Sequence, residues 1–89
     1  MNRKEHLLTI LGEECSELHK ETCKILRFGL TAKNGDNLQA EFNEILALVR
    51  MIADEGIVLY KHEHLISAKI EKVEKYLLES KELGTLTEE

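Results

Sequence analysis

Apolar side chains recur at Leu7, Leu11, Leu18 and Ile25, at spacings of four and seven that gather them on one face of a helix. Just ahead, Asn2 followed three residues later by Glu5 carries the signature of a capping box. A first helix is therefore predicted over residues 3–27, ending near Gly29. The stretch GLTAKNGD (29–36) is rich in small and turn-forming residues and reads as a loop. Asp36 with Gln39 repeats the capping signature. Leu38, Phe42, Ile45, Val49 and Ile52 then form the stripe of a second helix that runs to about Ala53, where DEG (54–56) stops it. IVLYKHEH (57–64) is ambiguous: its apolar part, Ile57 to Tyr60, admits two readings, a short apolar helix or an extended connector. A third helix is predicted over 62–82 on the stripe Leu65, Ile66, Val73 and Leu77, and residues 83–89 read as a frayed tail. No period of 2 and no internal repeat interrupts this pattern. The expected fold is all-α and spans one domain, residues 1–89: an antiparallel helical hairpin, a linking piece and a further helix, in the manner of a four-helix bundle.

Composition changes that picture in one respect. The chain has 89 residues, 43% of them hydrophobic, with two Phe, two Tyr, no Trp and no Pro. A domain this small buries only about 60–65% of its unfolded surface. With few aromatics and many aliphatics, the bundle is expected to be completed by homo-oligomerisation.

The formal net charge of −5 argues against nucleic-acid binding, which needs a basic footprint, and against docking on an anionic membrane. It suits local concentration of metal ions. Cys15 and Cys23, eight residues apart on one helix, lie ~12 Å apart along its axis, too far for a disulfide, which fits a reduced setting. No signal-peptide pattern opens the chain and no apolar run approaches ~18 residues. A soluble, cytoplasmic protein is expected.

The charges fall at informative angles. A helix turns about 100° per residue. With Leu18 as zero on the first helix, Leu7 and Ile25 lie at about −20°, Leu11 at about +20° and Cys15 at about +60°. Glu14 lies at about −40°, Glu21 at about −60° and Glu17 at about −100°, within or at the edge of the apolar arc, whereas Glu13 points outward. With Ile45 as zero on the second helix, Glu41 lies at about −40° and Glu44 at about −100°. The acidic pairs share one offset. Two antiparallel helices are related by a local two-fold axis, which preserves the sign of such an offset. If each apolar centre faces the other helix, both pairs line the same side of the groove between them. On the third helix, with Val73 as zero, Lys69 and Lys72 fall at the same two offsets, about −40° and −100°.

Carboxylates partly withdrawn from water do not stay both ionised and unpaired. A hard divalent cation such as Mg²⁺ suits a cluster of carboxylate oxygens and keeps water and substrate phosphates as its other ligands. Helix bundles build such sites from facing helices, and a lysine nearby would add a counter-charge for phosphate. Against this, a single glutamate at the edge of an apolar stripe is ordinarily a snorkelling surface residue, and Lys69 can simply pair with a glutamate. Other chemistries have less to stand on. HEH (62–64) lacks zinc-ligand spacing and reads as solvated or capping histidines. There is no P-loop and no G-x-S-x-G elbow. Lys24 and Arg27 suit the negative end of the first helix.

EECSE (13–17), 23 intervening residues and EFNE (41–44) resemble the EExxE…ExxD pattern of the MazG-like, all-α nucleoside triphosphate pyrophosphohydrolases. CKILRFG (23–29) and AKIEKVEKYL (68–77) resemble the small phage and mobile-element members, and the likeness spans about residues 3–80. The resemblance implies hydrolysis of the α–β phosphate bond of (d)NTPs to a nucleoside monophosphate and pyrophosphate. It implies Mg²⁺, with Mn²⁺ as a substitute, held by Glu14, Glu17, Glu41 and Glu44. Glu13 or Glu17 would take the proton of the attacking water, Lys69 and Lys72 would meet the substrate phosphates, and the protein would be a homodimer or homotetramer. Glu44 departs from the family, which usually has Asp there. Its extra methylene moves the carboxylate by roughly one carbon–carbon step, enough to matter in tight catalytic geometry. Two other readings are a nucleotide- or metal-binding helical module with little or no turnover, and a helical interaction protein whose edge charges set helix pairing.

Overall fold

Asn2 starts the first helix. Its side chain accepts a hydrogen bond from the Glu5 amide at 2.8 Å while Glu5 Oε1 accepts from the Asn2 amide at 3.5 Å, the reciprocal capping box read from the sequence. In the computed structural model, which describes residues 1–85, helix α1 then runs over Arg3–Phe28. It closes at Gly29, whose amide donates to the Ile25 carbonyl at 2.8 Å and whose φ of 87° is a conformation that glycine adopts without a Cβ penalty.

Helix α2 covers Ala32–Ala53 and begins earlier than expected. The cap is Thr31, not Asp36: Thr31 Oγ1 accepts from the Asn34 amide at 3.1 Å, and Asn34 Nδ2 reaches back to the Gly29 carbonyl at 3.0 Å. Both bonds satisfy groups that a helix end would otherwise leave open. The loop therefore shrinks from GLTAKNGD to residues 29–31, short enough to force α2 antiparallel against α1. At the far end Arg3 Nε meets Glu55 Oε1 at 2.8 Å, joining the start of α1 to the residues just past α2. Gly56, with φ 90°, turns the chain and lets the Ile57 amide donate to the Ile52 carbonyl at 3.1 Å.

Residues 57–62 form no helix, so of the two readings for residues 57–60 the connector holds. Helix α3 spans Glu63–Glu82, with His62 at its N-cap and no side-chain capping bond there. Its C-terminus closes in a Schellman motif: the Thr85 amide donates to the Ser80 carbonyl at 2.8 Å and the Gly84 amide to the Lys81 carbonyl at 3.1 Å. Of the tail expected to fray, residues 83–85 take this ordered form, and residues 86–89 lie outside the described residues.

The described chain is all-helical and divides into two compact units, Met1–Leu59 and the residues from Tyr60 onward. In the first unit α1 packs on α2. Leu7 and Ile52 form its buried centre at the end away from the loop, 5% and 1% exposed. Among the described residues no helix is long and apolar enough to cross a membrane.

Candidate metal centre

Glu14 projects from the middle of α1, and Glu41 and Glu44 from successive turns of α2. One carboxylate oxygen from each lies within 4.8 Å of the others. Equal angular offsets on antiparallel helices bring about this convergence. Glu14 and Glu41 are half-buried and Glu44 is exposed, so the cluster opens to solvent on the Glu44 side.

The electrostatics of the cluster are those of carboxylates competing for too little solvent. Loss of hydration raises Glu41 to about 7, with the carboxylates of Glu14 and Glu44 pushing in the same direction. Contact with Glu44 raises Glu14, and contact with Glu41 partly offsets that rise. Glu41 Oε2 is buried and has no hydrogen-bond partner. A buried oxygen of this kind carries its full desolvation cost until a cation or a proton meets it.

These residues fit a hard divalent ion. Carboxylate oxygens are the donors that Mg²⁺ prefers, and Glu14, Glu41 and Glu44 bring one each to within 4.8 Å of the others. Three carboxylates would leave the other positions for water or phosphate oxygens.

The remaining residues singled out from the sequence have environments of their own. Glu17, at the outer edge of the arc, pairs with Lys20 at 3.4 Å and is not among the three converging carboxylates. Glu13 is exposed, as its outward angle required. Lys69 and Lys72 are exposed on α3, where Lys72 borders a cleft of about 250 Å³ with Lys75, Tyr76 and Glu79. Glu21 was given no role by its motif position, although its angle put it within the arc. It is only 7% exposed, its Oε1 pairs with Lys24 at 3.1 Å, and its Oε2 is buried without a partner.

No protein-family model, curated protein or solved structure matches the chain.

Proposed function

We propose that the chain is a Mg²⁺-dependent nucleoside triphosphate pyrophosphohydrolase of the MazG-like kind, cleaving the α–β bond of (d)NTPs to a (d)NMP and pyrophosphate. The observation that carries this reading is the convergence of Glu14, Glu41 and Glu44, with Glu41 Oε2 buried and unpartnered. A protein of net charge −5 that gathers three carboxylates at a solvent-open groove needs a cation there before it can approach a triphosphate. When bound, Mg²⁺ (or Mn²⁺ in its place) neutralises phosphate charge and makes water more acidic.

The chain's own groups divide the remaining tasks. Glu14, Glu41 and Glu44 hold the ion. Glu17 completes the set of four once it leaves Lys20, an exposed pair of the sort that costs about 0–1 kcal/mol to break. Glu17 or Glu13 accepts the proton of the attacking water, and Lys69 and Lys72 carry positive charge for the phosphate chain. The protein acts in the cytoplasm as a homodimer or homotetramer. The test is incubation with each dNTP and Mg²⁺, followed by detection of monophosphate and pyrophosphate. Products are expected with the wild type and none with Glu41→Gln. Unchanged turnover in Glu41→Gln would remove the proposed site.

One observation favours a second reading. Glu44 stands where the family usually has Asp, and it is the most exposed of the three carboxylates. A displaced third ligand would leave a nucleotide- or metal-binding module with little turnover. Nucleotide binding without product formation in the same incubation would select that reading.

A further inference from the structure

The two histidines of HEH do not cap α3. His62 occupies the N-cap in an extended conformation (φ −115°, ψ 107°), yet its side chain makes no capping bond. His64 lies in the first turn of the helix. Both side chains are exposed, and their rings meet edge to face with centroids 5.6 Å apart. Neither imidazole has a hydrogen-bond or ion-pair partner among the described residues. Their ring nitrogens are therefore open to a ligand.

The backbone around the pair is set. The His62 carbonyl accepts from the Leu65 and Ile66 amides, each at 3.1 Å, which fixes the entry to the helix. Lys61 Nζ meets Glu63 Oε1 at 3.0 Å, so the two charged neighbours answer each other and not the imidazoles. The Tyr60 ring meets His62 edge-on, with centroids 6.3 Å apart. What stays adjustable is the rotation of each imidazole about its Cβ–Cγ bond, a torsion with broad wells. A ring nitrogen binds its metal at about 2.0–2.1 Å, so one ion joins two imidazoles only when the rings are neighbours, as these are.

The surroundings choose the ion. A helix N-terminus carries partial positive charge and opposes a cation held by charge alone. An ion bound here must bond to imidazole nitrogen. Imidazole suits Ni²⁺, Zn²⁺ and Cu²⁺, whereas Mg²⁺ takes carboxylate, carbonyl and water oxygens. We propose that His62 and His64 form a bidentate site for a divalent transition metal, completed by water and independent of the carboxylate cluster and of the function proposed for it. The bound ion links the residue before α3 to the first turn of the helix. It holds the N-cap in a conformation that no side-chain bond secures.

The chain supplies both target and control. Trypsin cuts after Lys61 and Lys69 and releases one peptide that holds both histidines, while His6 stands far from any other histidine in the sequence. Diethyl pyrocarbonate modifies free imidazole nitrogens, and mass spectrometry follows its rate at each histidine of the wild-type protein. The probe is Ni²⁺, in a background of Mg²⁺, which competes for carboxylates and not for imidazoles. At about ten times the half-protecting Ni²⁺ concentration, His62 and His64 should both be modified on the order of tenfold more slowly. Their protection should rise together, and His6 should react at its metal-free rate. His62→Asn should abolish the protection of His64, and His64→Asn that of His62, because one imidazole alone is a single ligand. Circular dichroism checks that the helices persist in each variant. Protection of one histidine that survives replacement of the other, equal protection of His6, or equal protection by Mg²⁺ alone would overturn the proposal. So would unchanged modification at about 1 mM Ni²⁺, the weak end of specific binding.

Discussion

Glu41 concentrates the electrostatic problem of the hairpin in one side chain. Its carboxyl is raised from 4.5 to about 7, first by burial and then by two neighbouring carboxylates. The folded chain therefore holds this proton more tightly than the unfolded chain does. The stability this group contributes is fully present below about pH 4.5 and is lost as pH rises through about 7. Glu14 is raised too and adds in the same sense. Metal-free thermal melts should show the melting temperature falling over that window. Glu41→Gln, a neutral isostere of the protonated acid, should flatten the profile. Saturating Mg²⁺ should restore stability above pH 7 in the wild type and not in the variant, because the ion competes with the proton for the same oxygens. A wild-type melting temperature that is level from pH 4.5 to 8 would remove the premise. That Glu14, Glu41 and Glu44 converge was legible from angular offsets alone, since offset is a local property of each helix. That Glu17 turns to Lys20 was not: the choice between two partners of one exposed side chain depends on rotamers that periodicity does not record.

At the scale of elements, the start of α2 shows where sequence signals compete. Asp36 with Gln39 satisfies the capping rule, and Asn34 and Gly35 are weak helix formers, so the rule places the start late. The structure resolves the competition through Asn34. Its amide hydrogen bonds to Thr31 Oγ1 and its side chain to the Gly29 carbonyl, a clamp that spans the whole loop. Asp36 lies inside the helix, five residues in, past the first turn where a negative charge would help. Thr31→Ala should cost about 1 kcal/mol of hairpin stability, while Asp36→Ala should stay within about 0.5 kcal/mol of the wild type. Urea melts followed by helical circular dichroism measure both. A larger loss for Asp36→Ala than for Thr31→Ala would contradict the observed cap. The capping box at Asn2, in contrast, had no competitor nearby and was read directly from the sequence.

At the scale of the whole molecule, the two sides of the hairpin differ. Glu14, Glu41 and Glu44 line one side. On the other side Leu8 lies at about +80° on α1, with Phe42 at about +60° and Leu46 at about +100° on α2. Phe42 and Leu46 are 49% and 46% exposed, although both belong to the face from which a core is built. Leu18, Leu38 and Phe42 border an open apolar cleft of about 270 Å³ on this side. A hairpin whose buried apolar residues are Leu7 and Ile52 offsets little of the ordering entropy of its two helices. The hydrophobic pattern signals amphipathic helices but does not say what covers them. If a second copy covers the Leu8–Phe42–Leu46 side, the carboxylate groove stays open to substrate. Light scattering on the wild type should then give at least twice the 10.2 kDa chain mass, and its melting temperature should rise with protein concentration. Leu46→Asp places a charge in that interface and should shift the mass toward one chain. Where the variant loses its helices altogether, the concentration dependence of the wild type still decides. A wild type of single-chain mass with a concentration-independent melting temperature would mean that the hairpin is stable without a second copy and that this apolar side has another role.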